Sequence, residues 1–294
     1  MGRRDAKRVK NLSGMGQLIM DINPERIGSE VYINEKIDVT NLVKYIKKKK
    51  EENDNITLFH AFVTAMAKTI YSRPKMNYFV ANRHLYNHNE IVISFVAKID
   101  FNDKSEEMML LIPIEENDNI DTISKKVYDK VNKIRNSKEN KVEKAGANSA
   151  IDIIGKFPNF IRVPLVGTLK WFSERGMLPK SLQDDNLYFS SVIVSNLGSI
   201  ECGAIYHHLS NFGTCSTLVT IGEVKDEIVI KDGKEEVRKM CEFGITLDER
   251  VADGVYFAKA VKVLAKIFQE PELLEEDVSK IVEVKLREKI KKES

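Results

Sequence analysis

The chain has 294 residues, 43% of them apolar, enough for a substantial core and too many for a disordered segment. Lys plus Arg number 46 and Asp plus Glu 44, a net charge of +2, so there is no basic excess to neutralise a phosphate backbone and a dedicated nucleic-acid binder is excluded. The three cysteines, Cys202, Cys215 and Cys241, lack C-x-x-C spacing, which argues against a disulfide framework and a zinc site, and no metal is expected.

In chain order, residues 1–28 are basic and contain glycine, and read as an arm rather than as core. The first ten are charged like a signal peptide's start but run into NLSGMGQ, which is no apolar segment, and Ala6 breaks the myristoylation pattern after Gly2. No apolar run approaches the roughly 18 residues of a membrane span, so a cytoplasmic protein is expected. Residues 30–39 alternate as a half-buried strand. A helix follows, with Leu42, Val43 and Ile46 on one face and lysines 47–50 at its end, where cations suit the helix dipole.

Residues 57–71 are Ala-rich and apolar on most sides, a buried helix in which His60 is a packed core residue. Residues 84–86 and 90–99 read as paired strands around 87–89, and 108–114 as another strand. Ile123, Val127, Val131 and Ile134 mark a helix over 121–135, and 136–144 reads as a loop. Residues 147–180 are densely apolar and cationic, contain the chain's single tryptophan, and are interrupted by Pro158, Pro164 and Gly167. Strands are expected over 187–194, 217–223 and 242–247, with a hairpin of 227–231 and 235–239 around Gly233. A helix over 254–268 stops at Pro271, and 272–291 reads as a last, acidic-to-basic helix. Strands and helices mix throughout, so one α/β domain over 29–294 with helices packed on a mixed β-sheet is expected.

One stretch carries chemical information. Residues 243–268 read FGITLDERVADGVYFAKAVKVLAKIF, a strand, a turn and an Ala-rich helix, followed by QEPELL. Asp248, Arg250, Asp253, Gly254 and the Pro-Glu-Leu-Leu of 271–274 resemble the C-terminal signature of dihydrolipoamide acyltransferase catalytic domains, in the chloramphenicol acetyltransferase-like superfamily. That signature is Asp-His-Arg-x-x-Asp-Gly; here Glu249 stands at the histidine. Residues 192–198 (VIVSNLG) resemble the family's Ser-Asn-Leu-Gly strand and turn, with Ser195 as its serine and Asn196 and Gly198 beside it. Residues 217–224 resemble the strand after it. The resemblance spans about 30–145 and 187–275.

The resemblance implies the chloramphenicol acetyltransferase-like, coenzyme A-dependent acyltransferase fold, and acyl transfer from an acyl-CoA thioester to a thiol or hydroxyl. It implies no permanently bound cofactor, coenzyme A serving as co-substrate. In the family the histidine is the general base and the serine donates to the oxyanion. Carried over, Glu249 sits at the base position, Ser195 is the oxyanion donor, Asp253 pairs with a cation to brace the turn, Arg250 is structural, and Gly254 permits a tight turn into the helix. The resemblance also implies a homotrimer whose serine and base meet across a subunit interface. No lipoyl domain precedes residue 30, so a full pyruvate-type component is not expected. Residues 147–180 exceed the family pattern and read as a helical cover, an apolar lid or a peripheral membrane contact, and the acceptor as a small molecule or a lipid. His207 and His208 are alternative bases. A catalytically inactive scaffold or ligand-binding homologue, and a thioesterase in which Glu249 activates water, stay open.

Overall fold

The computed structural model describes residues 3–98, 107–139, 153–184, 186–231 and 233–285. The strands are β1 Ala6–Arg8, β2 Glu30–Asp38, β3 Tyr78–Ala81, β4 His84–His88, β5 Ile91–Lys98, β6 Glu107–Ile114, β7 Val192–Asn196, β8 Thr217–Lys231 and β9 Lys234–Asp248. The helices are α1 Gly14–Ile22, α2 Thr40–Glu52, α3 Leu58–Ser72, α4 Ile120–Glu139, α5 Asn159–Glu174, α6 Lys180–Gln183 and α7 Gly254–Gln269.

Six strands form a mixed sheet in the order β2-β9-β8-β7-β5-β6, and β1-β4-β3 form a small second sheet. In the large sheet β7 runs parallel to both its neighbours, and the other pairs are antiparallel. Strands β8 and β9 are one long hairpin. Each joins two segments that the sequence reads separately, and a bulge at Ile221/Val224 absorbs the register shift between them. Gly233 closes the turn with a φ of +78°, where a side chain would be strained.

Side chains alternate between the two faces of a strand, and here the alternation sorts the site. Val192, Val194, Val219, Ile221, Ile245 and Leu247 face the main core, where α2, α3, α4 and α7 pack together. Helix α3 lies at its centre, and every residue from His60 to Ile70 is buried. Ile193 and Leu218 face the other way, into a small cluster with Leu187, Leu209 and Cys215. Over that second face runs the irregular segment 202–209. It is held by the Glu223 N–H on the Cys202 carbonyl (3.0 Å), the Thr220 hydroxyl on the Ile205 carbonyl, and Tyr206 against Tyr32. The segment approaches the sheet so closely that a Cβ at Gly244 would lie 2.3 Å from the Ile205 carbonyl oxygen.

Several expectations are corrected. The strands on either side of 87–89 form but do not pair with each other: β4 joins β1 and β3, whereas β5 joins β6 and β7. Residues 187–189 are a short 3-10 turn, and the strand begins at Val192. Helix α4 continues to Glu139, through the start of the expected loop, and 140–144 lie outside the described residues. Pro164 sits inside a continuous α5 instead of breaking it, while 147–152 lie outside the described residues. Beyond the 3-10 turn Pro271–Leu274, the described part of the expected terminal helix is not helical. Its N–H groups are taken elsewhere: Val278 donates to the Asp118 carbonyl (2.7 Å) and Val282 to the Ser72 hydroxyl (2.9 Å). The N-terminal arm is also built into the body. Strand β1 pairs with β4, Ala6 and Met20 are buried, and Arg3 donates to the carbonyls of Ser173 (2.8 Å) and Glu174 (3.0 Å).

Candidate active site

The motif turn follows β9. Asp248, the last residue of that strand, is fully buried and accepts from Arg250 three times, from the backbone N–H at 3.1 Å, from Nε at 2.8 Å and from Nη2 at 2.6 Å. A second buried guanidinium, Arg26, approaches the same carboxylate at 3.8 Å. Burial pushes the Arg26 pKa down, and the Asp248 carboxylate opposes that shift. Arg250 donates to the carbonyls of Asn23 and Pro24, and Arg26 to those of Val80, Ser210 and Gly213. One carboxylate and two arginines thus tie together four chain segments that are remote in sequence.

Alternation turns the next residue, Glu249, to the opposite face. Its backbone N–H bonds the Ser29 carbonyl (2.9 Å), and its side chain is exposed with no hydrogen bond or ion pair among the described residues. Glu249 lines a cavity of about 960 Å³. Val31, Ile33 and Phe257 contribute its apolar wall, and residues 9–13 of the arm close over it. The sequence marks residues 1–28 as an arm but places neither the arm nor Arg26 at the site, because neither carries periodicity or a motif.

Asp253 does not pair with a cation among the described residues. It caps α7, accepting the Tyr256 N–H at 2.8 Å. The ion pair that braces the turn belongs to Asp248. Gly254 has no left-handed φ, so the turn does not require glycine there. A Cβ at this position would meet nothing within 4 Å, and Gly254 lines the cavity, so a side chain would project towards it.

Ser195 lies near the end of β7, paired with Thr220. It shares the face of Ile193, away from the helices and from the cavity that Glu249 lines. Its hydroxyl is half-buried and has no hydrogen-bond partner among the described residues. After Asn196 the chain enters a 3-10 turn over Leu197–Ile200, where the Ser199 hydroxyl donates to the Asn196 carbonyl (2.8 Å). Gly198 lets this turn lie against the β8 bulge, since a Cβ there would stand 2.6 Å from the Gly222 carbonyl oxygen. Within one chain, therefore, Ser195 and Glu249 occupy opposite faces of the sheet and are not brought together.

The histidines separate in role. His60 is buried at the start of α3, where its Nδ1 accepts the Thr57 N–H (3.1 Å), and burial pushes its pKa down to about 4. His207 is exposed, and its side chain's one hydrogen bond among the described residues is to the His208 carbonyl (3.3 Å). His208 is different: its Nδ1 meets the Glu30 carboxylate at 2.9 Å. Glu30 is itself 2% exposed at its side chain and accepts from the Tyr32 hydroxyl (2.6 Å) and the Leu209 N–H (2.5 Å). A carboxylate so used can only accept, so Nδ1 donates a proton to it. Sequence reasoning missed Glu30, because nothing in a strand pattern marks a carboxylate as the partner of a residue 178 positions away. Glu30, which holds His208, lies three strands and four residues from Ser195, about 20 Å away. Among the described residues no group of three or more His, Cys, Asp or Glu could hold a metal ion.

Comparison with known proteins agrees with this arrangement of strand, turn and helix. The chain matches the family described as 2-oxoacid dehydrogenases acyltransferase (catalytic domain) over residues 25–166 and 174–275. The chain belongs to that family. Its fold is similar to a truncated catalytic core of the 2-oxoacid dehydrogenase multienzyme complex from Thermoplasma acidophilum, with a TM-score of 0.56, 16% identity, and coverage of 90% of this chain and 99% of that one. It is also similar to the dihydrolipoamide acetyltransferase of Azotobacter vinelandii, with a TM-score of 0.53, 16% identity and coverage of 90% and 93%. A chloramphenicol acetyltransferase matches at a TM-score of 0.50, 10% identity and coverage of 90% and 99%. At these identities the likeness is one of fold: the chain has the chloramphenicol acetyltransferase-like architecture, a mixed sheet with helices packed on it. A comparison with curated proteins found no match.

Proposed function

We propose that this family member transfers an acyl group from an acyl-CoA thioester to a thiol or hydroxyl acceptor, with coenzyme A as co-substrate and no permanent cofactor. Glu249 is the general base, and Ser195 donates a hydrogen bond to the oxyanion of the tetrahedral intermediate. The observation that carries this reading is the pair of unpartnered groups at the two motif turns. The Glu249 carboxylate stands free on a cavity wall, and the Ser195 hydroxyl stands free at a strand end. In the Azotobacter enzyme a serine, a histidine and an asparagine have a role in the catalytic mechanism, the asparagine four positions after the histidine. Asp253 follows Glu249 at the same interval.

Because the two groups lie on opposite faces of one sheet, the site is completed between subunits, and the assembly is a homotrimer as the family resemblance implies. A stable monomer at micromolar concentration in sedimentation would sink the shared site.

A carboxylate is a weaker base than imidazole, by about two pKa units at reference values. With a Brønsted slope of about 0.5 this costs roughly tenfold in rate. The expected activity is therefore slow but measurable, abolished by Glu249→Gln and raised by Glu249→His. Ser195→Ala should lower kcat by about a hundredfold or more. If Glu249→Gln leaves turnover unchanged, the base lies elsewhere. His208 is the next candidate, because the Glu30 carboxylate already holds its ring through Nδ1. If wild type binds no acyl-CoA, the scaffold reading replaces catalysis. Release of the acyl group to water without an acceptor would instead support the thioesterase reading.

A further inference from the structure

Helix α5 turns apolar side chains away from the protein. Of its residues only Ser173 is buried. At about 100° per residue, Phe160, Val163, Pro164, Gly167 and Trp171 fall within an arc of about 100°. All five are exposed, Phe160 by 78%, Val163 by 65% and Trp171 by 47%. The half-buried Leu165, Leu169 and Phe172 lie on the other side of the helix. The helix is thus apolar both towards the body and towards solvent. An outward apolar stripe of this kind marks a surface that something covers.

The charges identify what covers it. Residues 153–174 contain Lys156, Arg162 and Lys170 against one acidic residue, Glu174 at the end of α5, and Lys170 also approaches the Glu25 carboxylate at 4.0 Å. Arg175 adds a further cation, its guanidinium 4.1 Å from the Trp171 ring centroid. Long cationic side chains beside aromatic and aliphatic ones suit the boundary between acyl chains and anionic headgroups, where the stems lie in the apolar layer and the charges reach the phosphates. Sixteen residues rise about 24 Å, short of the roughly 30 Å of a hydrocarbon core. No described helix is long and apolar enough to cross a membrane.

We propose that α5 is an interfacial docking helix that lies in the plane of an anionic lipid surface, with Phe160, Val163 and Trp171 inserted and Lys156, Lys170 and Arg175 on the headgroups. A second copy of this chain fits less well, since a stripe flanked by more cations than acids would oppose like charges on meeting itself. The inference rests on α5 alone and not on the acyl-transfer reading, so either can fail without the other.

Trp171 is the chain's only tryptophan, so intrinsic emission reports on α5 directly. The full chain is mixed with vesicles of phosphatidylcholine alone, and with vesicles of roughly three parts phosphatidylcholine to one part phosphatidylserine. Binding by co-sedimentation and a blue shift of Trp171 are expected with the second and not the first. Neutralising Lys156, Lys170 or Arg175 should weaken binding about fivefold for each cation, and added salt should mimic this. Phe160→Asp with Val163→Asp should abolish binding without moving the thermal midpoint, because both side chains are exposed. Failure to bind the anionic vesicles, or binding indifferent to the double substitution, would overturn the proposal. So would lipid-free self-association that Phe160→Asp disrupts, which would assign the stripe to a second copy.

Discussion

Asp248 and Glu249 are neighbours in sequence, yet the structure assigns them opposite responses to loss of charge. Asp248→Asn removes the counter-ion shared by Arg250 and Arg26, and no other carboxylate lies within 4 Å of either guanidinium among the described residues. Both arginines stay buried, and their remaining acceptors are backbone carbonyls that carry no net charge. Removing one partner of a buried ion pair typically costs about 3–5 kcal/mol. The amide also turns an N–H group towards one guanidinium, so the upper half of that range is expected. Glu249→Gln alters an exposed side chain without partners, and a change within about 0.5 kcal/mol is expected. Guanidinium denaturation of the two variants beside wild type measures both. A loss below about 1 kcal/mol for Asp248→Asn would refute the argument that this carboxylate holds the turn. A comparable loss for Glu249→Gln would show that Glu249 is structural instead of chemical.

Two further outcomes follow from packing and titration. Gly244→Ala would place a Cβ 2.3 Å from the Ile205 carbonyl and 2.6 Å from the Thr220 hydroxyl. It should cost about 1–3 kcal/mol in the same denaturation assay, and an unchanged midpoint would mean that segment 202–209 is not packed on the sheet. His60 and His88 both have pKa values pushed down to about 4, chiefly by burial, so both are neutral in the folded protein. His88 is further fixed by donating to the Asn77 carbonyl (2.8 Å) and accepting from the Thr214 hydroxyl (2.9 Å). The unfolded chain binds these protons near pH 6.5, so stability is full above that pH and falls between 6.5 and 4. At pH 5 the expected loss is about 2 kcal/mol for each histidine. Urea midpoints across this range, with His88→Gln flattening the slope, check it; an identical slope in the variant would exclude His88.

Much of the fold was legible because its signals are local. Leu42, Val43 and Ile46 repeat at helical spacing, α3 is apolar on nearly all sides, and β2 alternates, so each element follows from a short window. The motif turn was legible because Asp248, Arg250, Asp253 and Gly254 lie close together in sequence. Pairing was less accessible. Strands β4 and β5 are separated by two residues and look like a hairpin, yet they enter different sheets. Periodicity says which face of a strand is apolar and says nothing about which strand lies beside it. Leu274, Val278 and Val282 have helical spacing in a segment whose N–H groups are taken by Asp118 and Ser72. The same limit hid the Arg26–Asp248 and Glu30–His208 contacts, each of which joins segments about 200 residues apart.

The distribution of these groups over the two faces of the sheet bears on the chemistry more than any single distance. Asp248 and Glu30 are paired across β9 and β2, and both turn to the face covered by segment 202–209. Glu249, one residue on, turns to the helix side and its cavity. A one-residue change in register would exchange these environments, burying Glu249 among arginines and exposing Asp248. The Arg250 and Arg26 pairs hold the observed register, because both guanidiniums meet the Asp248 carboxylate in it. The buried ion cluster thus places the unpaired carboxylate on the cavity wall, while Ser195 is held on the other face by its pairing with Thr220. In the proposed assembly each subunit contributes one half of a site to each of two interfaces. A substitution at Ser195 and one at Glu249, carried by different subunits, should then restore part of the activity on mixing, because some interfaces regain an intact serine and an intact base. If mixed trimers of the two inactive variants form and show no activity, the two groups do not share a site.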